Sequence, residues 1–292
     1  MPRTSDFLKL HFIVLLWGST AIFGKLISIP AVEMVFYRTL LATVGMAFLV
    51  AATKGKFKVG TGDLVKLLSV GGLISAHWIA FFYSGQISTA SVSLVGFATA
   101  SFWTAIIEPL SHNQKIKPLE IALGIFVIIG LFIIFHFDFE FYWGLFLGVM
   151  SGLLLAIASV INSHFVKRLP ATTITMYQMA GAFFFTAAFL PIYQIYWTEG
   201  NRLHLTATAL DWIYISILAF ACSVYAYSVS IDLMKRISVF TIQLALNLEP
   251  VYGILLAVII LDEAKHLNIS FFIGTAVILG AVIGYPLIKK RG

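Results

Sequence analysis

A series of apolar runs, each about twenty residues long, constrains this chain more than any other feature; short stretches carrying most of its charge separate them. About twenty consecutive apolar residues are what an α-helix needs to cross the hydrocarbon of a bilayer. Ten such windows are readable, at 8–28, 33–52, 64–84, 89–109, 119–136, 142–165, 171–196, 210–231, 238–260 and 267–288. They are apolar all round and do not alternate, which predicts helices and argues against a strand barrel. Only 11% of the residues are charged and 60% are hydrophobic. A soluble domain averages roughly 25% charged residues, and a disordered chain is poor in apolar ones, so both classes are excluded. The first run carries Lys25 late and is followed by nine similar runs, so it is expected to be a retained helix, not a cleaved leader.

The charges also predict orientation. Arg3, Lys9, Lys54, Lys56, Lys58, Lys66, Lys115, Lys117, Lys167, Arg168, Lys235, Arg236, Lys289, Lys290 and Arg291 fall on one side of the ten windows. Only Arg202 and Lys265 fall on the other. Basic loops stay in the cytoplasm, so both termini are expected there, as an even number of spans requires. Trp143, Trp197 and Trp212 then fall at the outer boundary. The net charge of +6 is scattered among loops and forms no nucleic-acid patch. The single cysteine, Cys222, can form no internal disulfide.

The two halves of the sequence repeat. Pro30-Ala31, Tyr37-Arg38 and Ala42 recur 140 residues later as Pro170-Ala171, Tyr177-Gln178 and Ala182. Gly124 and Gly130 recur 150 residues later as Gly274 and Gly280, the loop near 197–210 absorbing the difference. Residues 1–140 and 141–292 would therefore each hold five spans. Five is odd, so the second half would sit inverted in the membrane. Inverted repeats are a hallmark of secondary transporters, whose solute site lies near the midplane between the halves. Gly144, Gly148 and Gly152, and again Gly280 and Gly284, are spaced to let helices pack closely.

Several short motifs carry a family likeness. They are Trp17-Gly18-Ser19, Tyr37-Arg38 with Ala42, Glu249-Pro250, Leu261-Asp262-Glu263, and Gly274 with Gly280. On these the chain resembles the drug/metabolite transporter superfamily, in its EamA-type branch of ten-helix carriers. The resemblance implies a multi-pass carrier of small metabolites in the bacterial inner membrane, often an exporter of amino acids or related compounds. The family usually has a glutamate after its fourth and ninth spans. Glu263 fits the second place, whereas Asn113 stands at the first.

Ionisable groups inside a span are functional candidates by default. Glu249 lies about eleven residues into its window, roughly 16 Å deep, where an acid costs about 2.5–3.5 kcal/mol. Pro250 beside it removes a backbone hydrogen bond. Gln243 and Asn247 stand close before it in the same window. Trp17, His77, Trp78, Tyr177 and Tyr225 add polar-edged side chains within spans, suited to the wall of a cavity for an amphipathic solute. These eight residues are the expected substrate-binding set. Arg38, about 8 Å from the outer end of its window, is the expected gate or carboxylate-binding group near the outer mouth. Glu108-Pro109 looks like Glu249-Pro250 but falls out of the repeat register, which makes Glu108 an interfacial or inner-gate group. No Walker loop, nucleophile elbow or metal-spaced His/Cys/Glu cluster is present, so neither catalysis, a cofactor nor a metal is expected. The expected partners are a small solute and the bilayer, with no nucleic acid. Proton coupling would run through Glu249, and the protein would be a monomer or homodimer. Small organic cations or drugs, and a passive channel, are the alternatives.

Overall fold

The computed structural model describes residues 2–55, 57–88, 90–135, 141–261 and 269–289. Among them the chain is helical and forms no strand. In order come α1 (Thr4–Gly18), α2 (Thr20–Leu26), α3 (Ala31–Ala52), α4 (Thr61–Ile87), α5 (Ala90–Ser111), α6 (Pro118–Phe135), α7 (Tyr142–Phe165) and α8 (Ala171–Trp197). Then follow α9 (Ala209–Ile217), a π-helical stretch (Leu218–Ala226), α10 (Tyr227–Leu233), α11 (Val239–Leu246), α12 (Glu249–Leu261) and α13 (Ile269–Lys289).

Seven stretches are long and apolar enough to cross a membrane: Thr4–Gly24, Ala31–Ala52, Thr61–Ile87, Val92–Ser111, Tyr142–Phe165, Ala171–Trp197 and Ala209–Leu233. The apolar helices Pro118–Ile134 and Phe272–Tyr285 are shorter. The chain is thus a multi-pass membrane protein. Three expected windows are not single regular helices. The first breaks between α1 and α2, the eighth unwinds into π-helix, and 238–260 breaks between α11 and α12 at Asn247 and Leu248. Asp262, Glu263 and Lys265 lie outside the described residues, as does the side chain of Lys25.

Where helices cross, glycine sets the distance. A Cβ on Gly148 of α7 would stand 3.0 Å from the Gly96 Cα of α5. At Gly280 and Gly284, where a seam is expected, nothing among the described residues stands within 4 Å of an added Cβ. α13 meets α6 instead through Gly274 and Gly130, where a Cβ on Gly130 would reach the Gly274 carbonyl at 3.1 Å. Small residues matter only on the face where another backbone approaches.

Positions that recur between the halves make corresponding contacts. Tyr37 donates its hydroxyl to the Leu205 carbonyl, at 2.8 Å. Tyr177, 140 residues later, donates to the carbonyl of Phe57, which stands 148 residues before Leu205. The pattern extends to a second pair. Asp211 accepts from the Ser28 backbone N–H and hydroxyl, both at 2.7 Å. Asp63, 148 residues before Asp211, accepts from both terminal nitrogens of Arg168, which is 140 residues after Ser28. One clasp sits at the start of α3 and the other just beyond its end, so the two lie at opposite ends of the bundle.

Elsewhere, three buried polar side chains are matched to each other. Asn162, Gln178 and Tyr227 form a closed knot: Asn162 Nδ2 donates to the Tyr227 hydroxyl at 3.0 Å, and that hydroxyl donates to Gln178 Oε1 at 2.7 Å. Gln178 Nε2 returns a bond to Asn162 Oδ1 at 2.5 Å. Glu108 accepts from the first backbone N–H groups of α11, those of Val239 at 2.9 Å and Phe240 at 2.7 Å. It is a helix cap, placing its charge where the α11 dipole favours it.

Candidate functional site

The three irregular helices meet. α1 ends at Gly18, and a Cβ there would stand 3.0 Å from both the Glu249 carbonyl and Tyr252 Cβ. A Cβ on Gly253 would likewise come within 2.9 Å of the Gly18 carbonyl. Only residues without side chains let the two breaks touch. Ser19 donates to the Leu16 carbonyl at 2.6 Å, occupying an acceptor at the end of α1. On the far side of the second break, Asn247 Nδ2 donates to the carbonyls of Gln243 and Leu244 at 3.2 and 3.3 Å. Its side chain thereby closes the end of α11. Glu249 then opens α12, with Pro250 in the first turn, where a missing N–H costs nothing.

The π-helical stretch is held from two sides. Trp17 Nε1 donates to the Cys222 carbonyl at 3.1 Å. Ser223 Oγ donates to the Leu218 carbonyl five residues back at 3.1 Å and accepts from Arg38 Nε at 2.8 Å. A widened helical turn frees such backbone carbonyls; Trp17 takes up that of Cys222 and Ser223 that of Leu218, while Arg38 holds the Ser223 hydroxyl.

Around these breaks lies a cavity of about 70 Å³. Its wall includes Trp17, Thr20, Arg38, His77, Trp78, Ser159, Cys222, Gln243 and Glu249, with Phe81, Phe82 and Phe97 alongside. Arg38 is 2% exposed, and its guanidinium carbon lies 4.1 Å from the centroid of the Trp78 ring. The stack and the Ser223 bond fix the guanidinium plane while leaving both terminal nitrogens uncommitted among the described residues. Glu249 shares the cavity, and its carboxyl group makes no hydrogen bond to a side chain or backbone group among the described residues. No hydrogen bond or ion pair joins the Arg38 guanidinium directly to the Glu249 carboxyl group. His77 Nδ1 lies 2.7 Å from Ser151 Oγ and 3.1 Å from the Ser151 carbonyl. A proton on Nδ1 directed at that carbonyl leaves Nε2 an acceptor. Gln243 Nε2 donates to Ser159 Oγ at 2.9 Å.

Six of the nine expected residues come together in this cavity: Trp17, Arg38, His77, Trp78, Gln243 and Glu249. Three stand elsewhere. Asn247 is buried behind the wall, occupied with the α11 carbonyls. Tyr177 is spent on the Phe57 clasp. Tyr225 is 45% exposed on the outside of the bundle, its ring edge-on to Phe12 at 6.1 Å, because the π-helix turns it away from the interior. Arg38, expected near the outer mouth, lies in the cavity itself, drawn inward by Trp78 and Ser223. Sequence reasoning passed over Ser159 and Ser223. A serine inside an apolar run carries no signal of its partner on another helix.

A family model for the EamA-like transporter family matches twice, over residues 8–136 and 142–285. The chain belongs to the EamA-like transporter family. Its two-repeat architecture and its class, a membrane transporter of small molecules, follow from that membership. No curated protein matches the sequence. A solved structure described only as "Crystal structure of protein" aligns over 99% of both chains with a TM-score of 0.78 at 16% identity. That likeness concerns the fold alone. Within the EamA-like repeats, the Trp17-Gly18-Ser19 and Glu249-Pro250 motifs are the two sides of one helix-break contact.

Proposed function

We propose that this protein is a secondary carrier that exports small zwitterionic metabolites, amino acids or close relatives, across the bacterial inner membrane. The observation that carries the reading is the Arg38 guanidinium and the Glu249 carboxyl group in one cavity, not paired directly. A buried guanidinium with two free terminal nitrogens fits a carboxylate in bidentate fashion. A buried carboxylate without a protein donor fits an ammonium group. A zwitterion satisfies both and leaves no net charge in the low-dielectric interior. An organic cation would leave Arg38 uncompensated, which disfavours that alternative.

In this reading ten spans form two inverted halves, 1–140 and 141–292, with both termini cytoplasmic. Rocking of one half on the other exposes the cavity alternately. The clasps support it. Tyr37–Leu205 with Ser28–Asp211 closes the outer end, and Tyr177–Phe57 with Arg168–Asp63 closes the cytoplasmic end. Each joins one half to the other, so access requires that one open. A proton carried on Glu249 is the coupling step.

The test is counterflow in proteoliposomes loaded with an amino acid. Zwitterions should compete, whereas the matching decarboxylated amines and deaminated acids should compete at least about tenfold less well, each having lost one charge-assisted contact. Equal competition by all three classes would refute the site. Flux driven equally by a pH gradient in wild type and Glu249→Gln would remove the coupling role.

A further inference from the structure

We propose that the Gln243 amide reads a hydrogen-bonding group on the body of the solute, so that the carrier selects zwitterions bearing a hydroxyl or similar donor over plain aliphatic ones. The inference rests on the zwitterion reading above and extends it to the part of the solute beyond its charges. Gln243 is 2% exposed and belongs to the cavity wall. Its Nε2 is matched by Ser159, but its Oε1 is buried with no partner among the described residues. A buried amide acceptor without a donor is costly, and most such groups in folded proteins are satisfied.

Among the described residues no side chain meets this oxygen. The Ser159 hydroxyl is a single group and meets one end of the amide only. The Asn247 amide, one turn on, is already directed at the Gln243 and Leu244 carbonyls at 3.2 and 3.3 Å. Of the other wall residues, Leu155, Met234 and Leu246 carry no donor, the Tyr227 hydroxyl is spent on Gln178 at 2.7 Å, and the Ser230 hydroxyl makes no hydrogen bond to Gln243. A solute held in the cavity can supply the missing partner. A hydroxyl suits the place well, because it donates and accepts and so satisfies the free end of the amide whichever way that amide is turned. Gln243 lies on α11 and Glu249 opens α12 across the break, so an anchored ammonium and a read side chain fall on two consecutive half-helices.

The experiment uses isosteric solutes in the same counterflow assay: L-serine against L-2-aminobutyrate, and L-homoserine against L-norvaline. Each pair differs by a hydroxyl in place of a methyl. In wild type the hydroxylated member of at least one pair should compete about tenfold better or more, the scale expected when a buried polar group gains or lacks its partner. In Gln243→Met the difference should shrink to within about twofold, through stronger competition by the aliphatic member. Equal competition within both pairs in wild type overturns the inference, and that comparison needs no variant. A preference that survives unchanged in Gln243→Met overturns it too. If zwitterions are carried but the pairs do not differ, this inference alone falls; if no zwitterion is carried, the zwitterion reading falls first.

Discussion

Replacing Arg38 with lysine keeps the charge and tests whether geometry matters. The guanidinium spends its Nε on Ser223 at 2.8 Å and lays its face 4.1 Å from the Trp78 centroid. Two terminal nitrogens then remain, coplanar and fixed, for the two oxygens of a carboxylate. Lysine presents one ammonium on a flexible stem and cannot both hold Ser223 and bind two oxygens. At least one charge-assisted hydrogen bond to the solute is lost, worth about 1.5–3 kcal/mol. At about 1.4 kcal/mol per tenfold, that is roughly a ten- to hundredfold weaker affinity. The assay is counterflow competition by a zwitterionic amino acid and by its decarboxylated amine, on protein shown to be monodisperse by size exclusion. The zwitterion should lose affinity by that factor, while the amine, which makes no carboxylate contact, should hold its wild-type value. Zwitterion affinity unchanged in Arg38→Lys, or a parallel fall for the amine, would refute the argument that Arg38 grips the carboxylate.

Cys222 is the only cysteine and lines the cavity, which makes it a native reporter of access. Tyr37→Phe should speed its modification by a membrane-impermeant thiol reagent added outside, and Tyr177→Phe from the cytoplasmic side. Each loses one hydrogen bond, so a shift of about three- to tenfold is expected; acceleration from the same side in both variants would contradict the clasps. Gly18→Val should abolish transport and lower the melting temperature in detergent, because even its Cβ would stand 3.0 Å from the Glu249 carbonyl; a stable, active variant would show that the helix breaks need not touch. Asn162→Leu should destabilise the fold by about 1–3 kcal/mol, since it orphans Gln178 and Tyr227 in a matched knot; wild-type stability on thermal unfolding would show that the knot does not hold the bundle together.

Arg38 and Gln178 occupy matching places in the repeat, yet one faces the cavity and the other is closed within the Asn162–Tyr227 knot. Sequence register found both positions and could not tell them apart. Their partners, Trp78 and Ser223 for one and Asn162 and Tyr227 for the other, come from other helices. The same limit explains Tyr225. A polar-edged aromatic in an apolar run could face inward or outward, and the π-helix at Leu218–Ala226 settled which. Glu249 and Pro250 were legible as a special place because an acid and a proline are both costly within an apolar helix.

What the sequence determined by itself is the solvent and the scaffold. Long apolar runs can satisfy their backbone in lipid only as helices, and the double occurrence of Pro-Ala and Tyr carries the repeat. What the tertiary structure decided is where those helices stop being regular and which polar groups remain unmatched there. Chain periodicity reports the surface each residue offers, whereas a partner for Gln243 or Arg38 depends on helices far away in sequence, brought close only when the bundle packs.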